Sequence, residues 1–134
     1  MQLIPRTVES QVKRYLRPNK VVVILGPRRV GKTVLIKKIL SETTEPYVLL
    51  NGEDVATREL FARRSVPSLS AMLEGKKFLV IDEAQKVPEI GNALKLMVDE
   101  IPGLKVLITG SSAFDVENYT GEPLTGRKMT FKLF

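Results

Sequence analysis

The amino-acid sequence predicts an α/β fold: a three-layer sandwich whose mainly parallel five-stranded sheet is covered by helices on both faces. Three observations carry this expectation. Short β-branched apolar runs alternate with segments of helical period. The run Val21 to Leu25 (VVVIL) is too continuous for a half-exposed strand and suits a parallel strand buried on both sides. Parallel neighbours need a crossover, for which helices are the usual solution.

Each element follows in order. Val8, Val12, Tyr15 and Leu16 recur at helical spacing, with Thr7 as a candidate N-cap, so residues 7–17 read as an amphipathic helix ended by Pro18-Asn19. After the first strand, Val34, Leu35, Ile36, Ile39 and Leu40 mark a well-buried helix starting near Gly31. Tyr47 to Leu50 is the second strand, and helical stretches follow near Thr57 to Arg64 and from Ser68 to Glu74, the latter opened by Pro67 and closed by Gly75. Phe78 to Ile81 is the third strand. Leu94, Met97, Val98 and Ile101 lie at i, i+3, i+4 and i+7 of another helix, stopped by Pro102-Gly103. Lys105 to Thr109 is the fourth strand, a polar loop spans Ser111 to Arg127, and the alternating KMTFKLF reads as the fifth. The sequence ends in that strand, so residues 1–134 are expected to be one domain and the front part of a longer protein.

Composition removes several chemistries. Of 134 residues 43% are hydrophobic, as in a chain with a real core, and there is neither cysteine nor histidine. Disulfides, thiolate or imidazole ligands and histidine-based triads are therefore excluded. No apolar run reaches the roughly 20 residues of a membrane span and the amino terminus lacks a signal-peptide apolar stretch, so a cytoplasmic protein with no membrane partner is expected. The net charge is +6, but residues 1–40 hold ten Lys/Arg against Glu9 alone. Such a basic excess suits a polyphosphate ligand or a nucleic-acid backbone, with Lys13, Arg14 and Arg17 the candidates for the latter.

The excess surrounds Gly26-Pro27-Arg28-Arg29-Val30-Gly31-Lys32-Thr33, which fits G-x-x-x-x-G-K-[ST] between a strand and a helix, the context that motif requires. The glycines allow close backbone approach, and the N–H groups around Val30 to Val34, with the helix dipole, make an anion site. Lys32 is suited to β- and γ-phosphates and the Thr33 hydroxyl to Mg²⁺. Pro27 stiffens the loop at the loss of one donor. Arg28 and Arg29 are candidate ligand contacts that equally suit a solvated surface.

Phe78-Leu79-Val80-Ile81-Asp82-Glu83 is a buried strand ending in two acids. Ligands of open parallel sheets bind outside the carboxyl ends of the strands, so Gly26, Asp82 and Thr109 to Ser111 are expected on one edge. Asp82 is the candidate metal ligand and Glu83 the candidate base for a water attacking the γ-phosphate. Ser111, or Ser112, is the hydroxyl candidate for contacting that water or phosphate, and Arg127 is a further candidate for a nucleotide in the same or a neighbouring subunit. Ile4 to Arg6 are candidates to line a base pocket.

On GPRRVGKT, FLVIDEAQKVP and KVLITGSSAF, the chain resembles P-loop ATPases of the AAA+ superfamily, and among them prokaryotic AAA-like ATPases that often carry a C-terminal nuclease-like domain. The resemblance implies ATP with Mg²⁺-dependent hydrolysis, a sheet of order 5-1-4-3-2, Lys32 and Thr33 as the Walker A pair, Asp82 and Glu83 as the Walker B pair, and Ser111 or Ser112 as the sensor. It also implies a helical lid beyond these residues, and a homo-oligomer or an attached C-terminal domain as partner. A slow ATP-dependent switch and a nucleic-acid-associated module are the alternative readings.

Overall fold

The structure is a computed structural model and describes residues 6–27, 31–111 and 126–133. Its elements are α1 (Arg6–Tyr15), β1 (Lys20–Leu25), α2 (Lys32–Glu42), β2 (Val48–Asn51), α3 (Val55–Ala62), α4 (Val66–Leu73), β3 (Phe78–Asp82), a 3₁₀ turn (Ala84–Lys86), α5 (Ile90–Glu100), β4 (Lys105–Gly110) and β5 (Lys128–Lys132). The five strands form one sheet in the order β2-β3-β4-β1-β5, and all four pairings are parallel. This is the expected 5-1-4-3-2 order read from the other side.

The register explains the composition of the central strands. In β1, Val21, Val23 and Leu25 join an apolar cluster built with α3, α4 and α5, while Val22 and Ile24 join a second cluster with α1 and α2. Leu79, Ile81, Val106 and Ile108 likewise serve the first cluster, and Phe78, Val80 and Leu107 the second. Both faces of these strands are thus covered, which is why VVVIL, FLVI and VLI contain no polar alternation. Burying each such side chain contributes about 1.5–3 kcal/mol. The edge strands differ: β2 is half exposed, and β5 has no fully buried residue, with Met129 exposed although its sequence alternates.

Local chemistry sets the boundaries. Ser65 caps α4 by accepting from the Ser68 N–H at 3.3 Å, and Pro67 falls in the first turn, where a missing N–H costs nothing. Helix α5 starts at Ile90, earlier than the Leu94 spacing suggested, because Ile90 and Ala93 extend the same buried face.

Asn19 joins the two layers at the start of β1. Its backbone is left-handed (φ 61°), a conformation asparagine tolerates well. Its Nδ2 donates to the carbonyls of Val98 (2.6 Å) and Ile101 (3.1 Å), and its Oδ1 accepts from the Gly103 N–H at 3.1 Å. One side chain therefore satisfies the carboxyl end of α5 and the turn into β4. Asn19→Ala is expected to lower unfolding stability by about 2 kcal/mol, since it orphans partly buried carbonyls. Asn19→Gly keeps the backbone angle and loses the same bonds, so denaturant titration of the two separates the terms.

Candidate functional site

The parallel register brings the carboxyl ends of the strands to one edge. Leu25 pairs with Gly110, Asn51 with Asp82, and Ile81 with Ile108, so Gly26, Gly52, Asp82-Glu83 and Thr109 to Ser111 leave the sheet together. Gly26, Asp82 and Thr109 to Ser111 are the strand ends expected from the sequence; Gly52 joins them.

Gly31 precedes α2 with φ 83°, which a glycine adopts without strain, and starts the helix at Lys32. Lys32 is only 2% exposed. Its Nζ donates to the carbonyl oxygens of Gly26 at 2.8 Å and Gly110 at 2.7 Å, so one ammonium bridges the ends of β1 and β4. A buried cation is tolerable only with such partners. One residue on, the Thr33 hydroxyl donates to Asp82 Oδ2 at 3.1 Å. A hydroxyl and a carboxylate oxygen in contact are the hard donors a magnesium ion takes, the rest of its shell coming from phosphates and water. Among the described residues no cluster of three or more acidic side chains offers a closed all-protein cage.

Asp82 is held from its other side. Thr109 Oγ1 donates to Asp82 Oδ1 in a short hydrogen bond, and the Glu83 N–H donates to Asp82 Oδ1 and Thr109 Oγ1, both at 3.1 Å. Glu83 turns out of the sheet with φ 54° and is 9% exposed. Its carboxylate accepts from Gln85 Nε2 at 2.6 Å, and its carbonyl accepts from the Lys86 N–H at 3.1 Å. Behind it, Gly52 donates to the Asp82 carbonyl at 2.8 Å, and a Cβ on Gly52 would lie 2.2 Å from the Glu83 carbonyl oxygen. Position 52 thus requires glycine for close approach. The Arg58 guanidinium fastens the same turn through the carbonyls of Gly52 (3.0 Å) and Glu53 (2.8 Å).

The edge therefore gathers Gly26, Pro27, Gly31, Lys32, Thr33, Asp82, Glu83 and Ser111, with Val34 exposed on the first turn of α2. Arg28, Arg29, Val30, Ser112, Ile4 and Pro5 lie outside the described residues. Arg127 is elsewhere: it precedes β5 at the opposite edge and pairs with Asp99 of α5, which removes it as a contact within the same subunit. Two residues of the site were not singled out from sequence: Gly52 is a lone glycine after an edge strand and Gln85 a polar residue just past two acids, and only the strand pairing gives them meaning. Thr109 was expected on this edge, without a role of its own.

The basic surface is smaller than the residue count suggested. Lys13 Nζ bonds Glu42 at 2.8 Å and Glu9 at 3.2 Å, and these partners hold its ammonium above the ordinary lysine value while the Lys13 bond holds the Glu42 carboxyl below its own. Arg64 likewise holds the exposed Glu89 carboxyl below the usual range. Of the three cations at the end of α1, Arg14 and Arg17 remain for an anionic partner. No described helix is long and apolar enough to cross a membrane.

Known proteins are similar to this chain. An uncharacterised protein of Mycobacterium tuberculosis is 29% identical over 123 residues, covering 91% of this chain and 26% of the relative. A second, from Methanocaldococcus jannaschii, is 27% identical over 130 residues, covering 92% of this chain and 28% of the relative. The chain spans about a quarter of the length of these relatives. Among solved structures, the Pif1 helicase of Candida albicans superposes over 100% of this chain and 41% of its own with a TM-score of 0.63 at 14% identity. The flagellar accessory protein FlaH of Methanocaldococcus jannaschii covers 92% of this chain and 76% of its own with a TM-score of 0.55 at 12% identity. These two likenesses establish the fold. The family model described as an AAA domain matches residues 18–134, from the turn before β1 to the last residue, and the chain belongs to that family of P-loop nucleotide-binding domains.

Proposed function

We propose that the domain binds ATP with Mg²⁺ and hydrolyses it to ADP and phosphate, as the ATP-binding portion of a longer cytoplasmic protein in which hydrolysis is coupled to a conformational change. The observation that carries this reading is the contact of Thr33 Oγ1 with Asp82 Oδ2 at 3.1 Å beside a buried Lys32, which joins the helix end suited to phosphate to the strand end suited to a cation.

In this reading the phosphates lie against the N–H groups opening α2, where the amide donors of a helix start and the helix dipole favour negative charge. Lys32 exchanges its carbonyl partners, Gly26 and Gly110, for phosphate oxygens. Because those carbonyls lie just after β1 and at the end of β4, the exchange would link nucleotide binding to the two central strand ends. Thr33 and Asp82 hold the magnesium ion, whose chemistry when bound is to neutralise charge on the β- and γ-phosphates. Glu83 orients a water and takes its proton as the water oxygen bonds the γ-phosphorus and the bond to the ADP oxygen breaks. Ser111, at the end of β4, contacts the γ-phosphate or that water. A neighbouring copy or an attached domain completes the site, since transition-state charge in this chemistry is commonly met by an arginine from outside the core.

Two measurements test the assignment. By calorimetric titration in the full chain, Lys32→Ala is expected to weaken ATP binding at least tenfold, whereas Glu83→Gln binds within about threefold of the parent and releases phosphate about 10²- to 10⁴-fold more slowly. Parental hydrolysis by Glu83→Gln would remove Glu83 as the base. Asp82→Asn and Thr33→Ala should each raise the magnesium concentration needed for half-maximal hydrolysis; an unchanged requirement in both refutes the metal assignment.

Gly52→Ala provides a separate check on how the acids are placed. The added methyl must displace the Glu83 carbonyl, so hydrolysis should fall at least tenfold and the melting temperature should drop, with Lys32-dependent ATP binding retained. Parental turnover in this variant would show that the position of the Glu83 backbone is not critical.

A further inference from the structure

Gln85 is a residue at this edge to which the reaction scheme gives no role. Its Nε2 donates to Glu83 Oε2 at 2.6 Å from within the 3₁₀ turn that follows β3. An ionised carboxylate only accepts, so this contact fixes which end of the amide faces Glu83. The other end, Oε1, is then turned into the protein, and among the described residues it is the buried side-chain oxygen or nitrogen with no hydrogen-bond partner. Leaving a buried carbonyl oxygen unmatched costs about 1–3 kcal/mol, which offsets most of the roughly 1.5–3 kcal/mol that a bond to a charged group returns. The amide is thus poorly used for stability and well used for holding one carboxylate.

The rest of Glu83 is fixed independently. Its N–H is taken by Thr109 and Asp82, its carbonyl by Lys86, and the space behind that carbonyl is closed by Gly52. These contacts determine the backbone and leave the side-chain torsions undetermined. The hydrogen bond that the structure records to the carboxylate itself comes from Gln85. A base must lie within hydrogen-bond reach of the proton it removes, so a carboxylate free to rotate spends much of its time misplaced.

We infer that Gln85 is a positioning residue that sets the carboxylate of Glu83 for attack by water. The inference rests on the assignment of Glu83 as base and adds the group that aims it. In this reading Gln85 acts through Glu83 and not on the nucleotide, so its removal should change turnover and leave binding alone.

The test uses Gln85→Met, which keeps length and packing but cannot donate, and Gln85→Ala, which removes the side chain, each in the full chain beside Glu83→Gln. Both Gln85 variants are expected to lower kcat about tenfold or more while the Kd for ATP stays within twofold. In the parent without nucleotide, the side-chain amide resonance of Gln85 should lie away from its free position in nitrogen–proton NMR spectra and return toward it in Glu83→Ala. If Glu83→Gln is inactive but both Gln85 variants keep or exceed parental kcat, the positioning role is overturned and the base assignment stands. If Glu83→Gln hydrolyses like the parent, the base assignment falls and this inference with it. An amide resonance identical in the parent and in Glu83→Ala would also overturn it, because the contact would then be absent in solution.

Discussion

Parallel pairing is the constraint on which the rest of this molecule depends. A parallel neighbour cannot be reached by a tight turn, so the chain must cross the sheet between paired strands and cover its faces as it does so. Here α1 and α2 seal one face of β1, β3 and β4, and α3, α4 and α5 seal the other. The same rule points every strand the same way, so all carboxyl ends meet at one edge whatever their order in the chain. Lys32, Asp82 and Thr109 are far apart in sequence and become neighbours because β3, β4 and β1 are adjacent in the sheet.

Concentrating polar groups at the end of an apolar sheet requires that most be satisfied, and the edge does this by sharing. Asp82 accepts from Thr33, Thr109 and the Glu83 N–H, and Lys32 spans two carbonyls. Thr109 both donates and accepts, linking the third and fourth strands through one hydroxyl. The left-handed backbone of Glu83 is costly for a non-glycine residue, of order 1–3 kcal/mol, and persists because bonds on both sides of it leave no alternative. Strain and polar density coincide in one turn, where a fold governed by stability alone would place an ordinary strand end.

Legibility of this molecule in its sequence followed the range of the interactions. Strand β1 and the phosphate loop could be read because their cause is local: five consecutive apolar residues, then glycine, lysine and threonine at fixed spacing. Helix α5 was placed a turn late because Pro88, Gly91 and Asn92 interrupt the periodic signal, although Ile90 and Ala93 belong to the buried face. The sheet order needed the family resemblance, since periodicity says that a strand is buried and not beside which partner. Gly52 was silent because its requirement comes from the Glu83 carbonyl, thirty-one positions away. Arg127 looked like a nucleotide contact while the fold was unknown; the register of β5 on β1 puts it at the far edge, against Asp99.

Charge, too, is settled by tertiary contact. The first forty residues are strongly basic, yet Lys13 is answered by Glu9 and Glu42, and Lys32 by backbone carbonyls. Further along, Lys105 meets Glu45 while lying 5.6 Å from the centre of the Phe78 ring. Exposed pairs of this kind add little stability, typically below about 1 kcal/mol, so their main effect is to lower the field that an approaching polyanion meets. The cation best placed at the carboxyl edge is also the most buried of them. Lys32 is therefore available to a ligand that comes to the edge and displaces its carbonyl partners, and is inaccessible to a chain passing over the surface. On the proposed function, preference for a small, highly charged ligand would therefore come from burial and hydrogen bonding, not from the net charge of the domain.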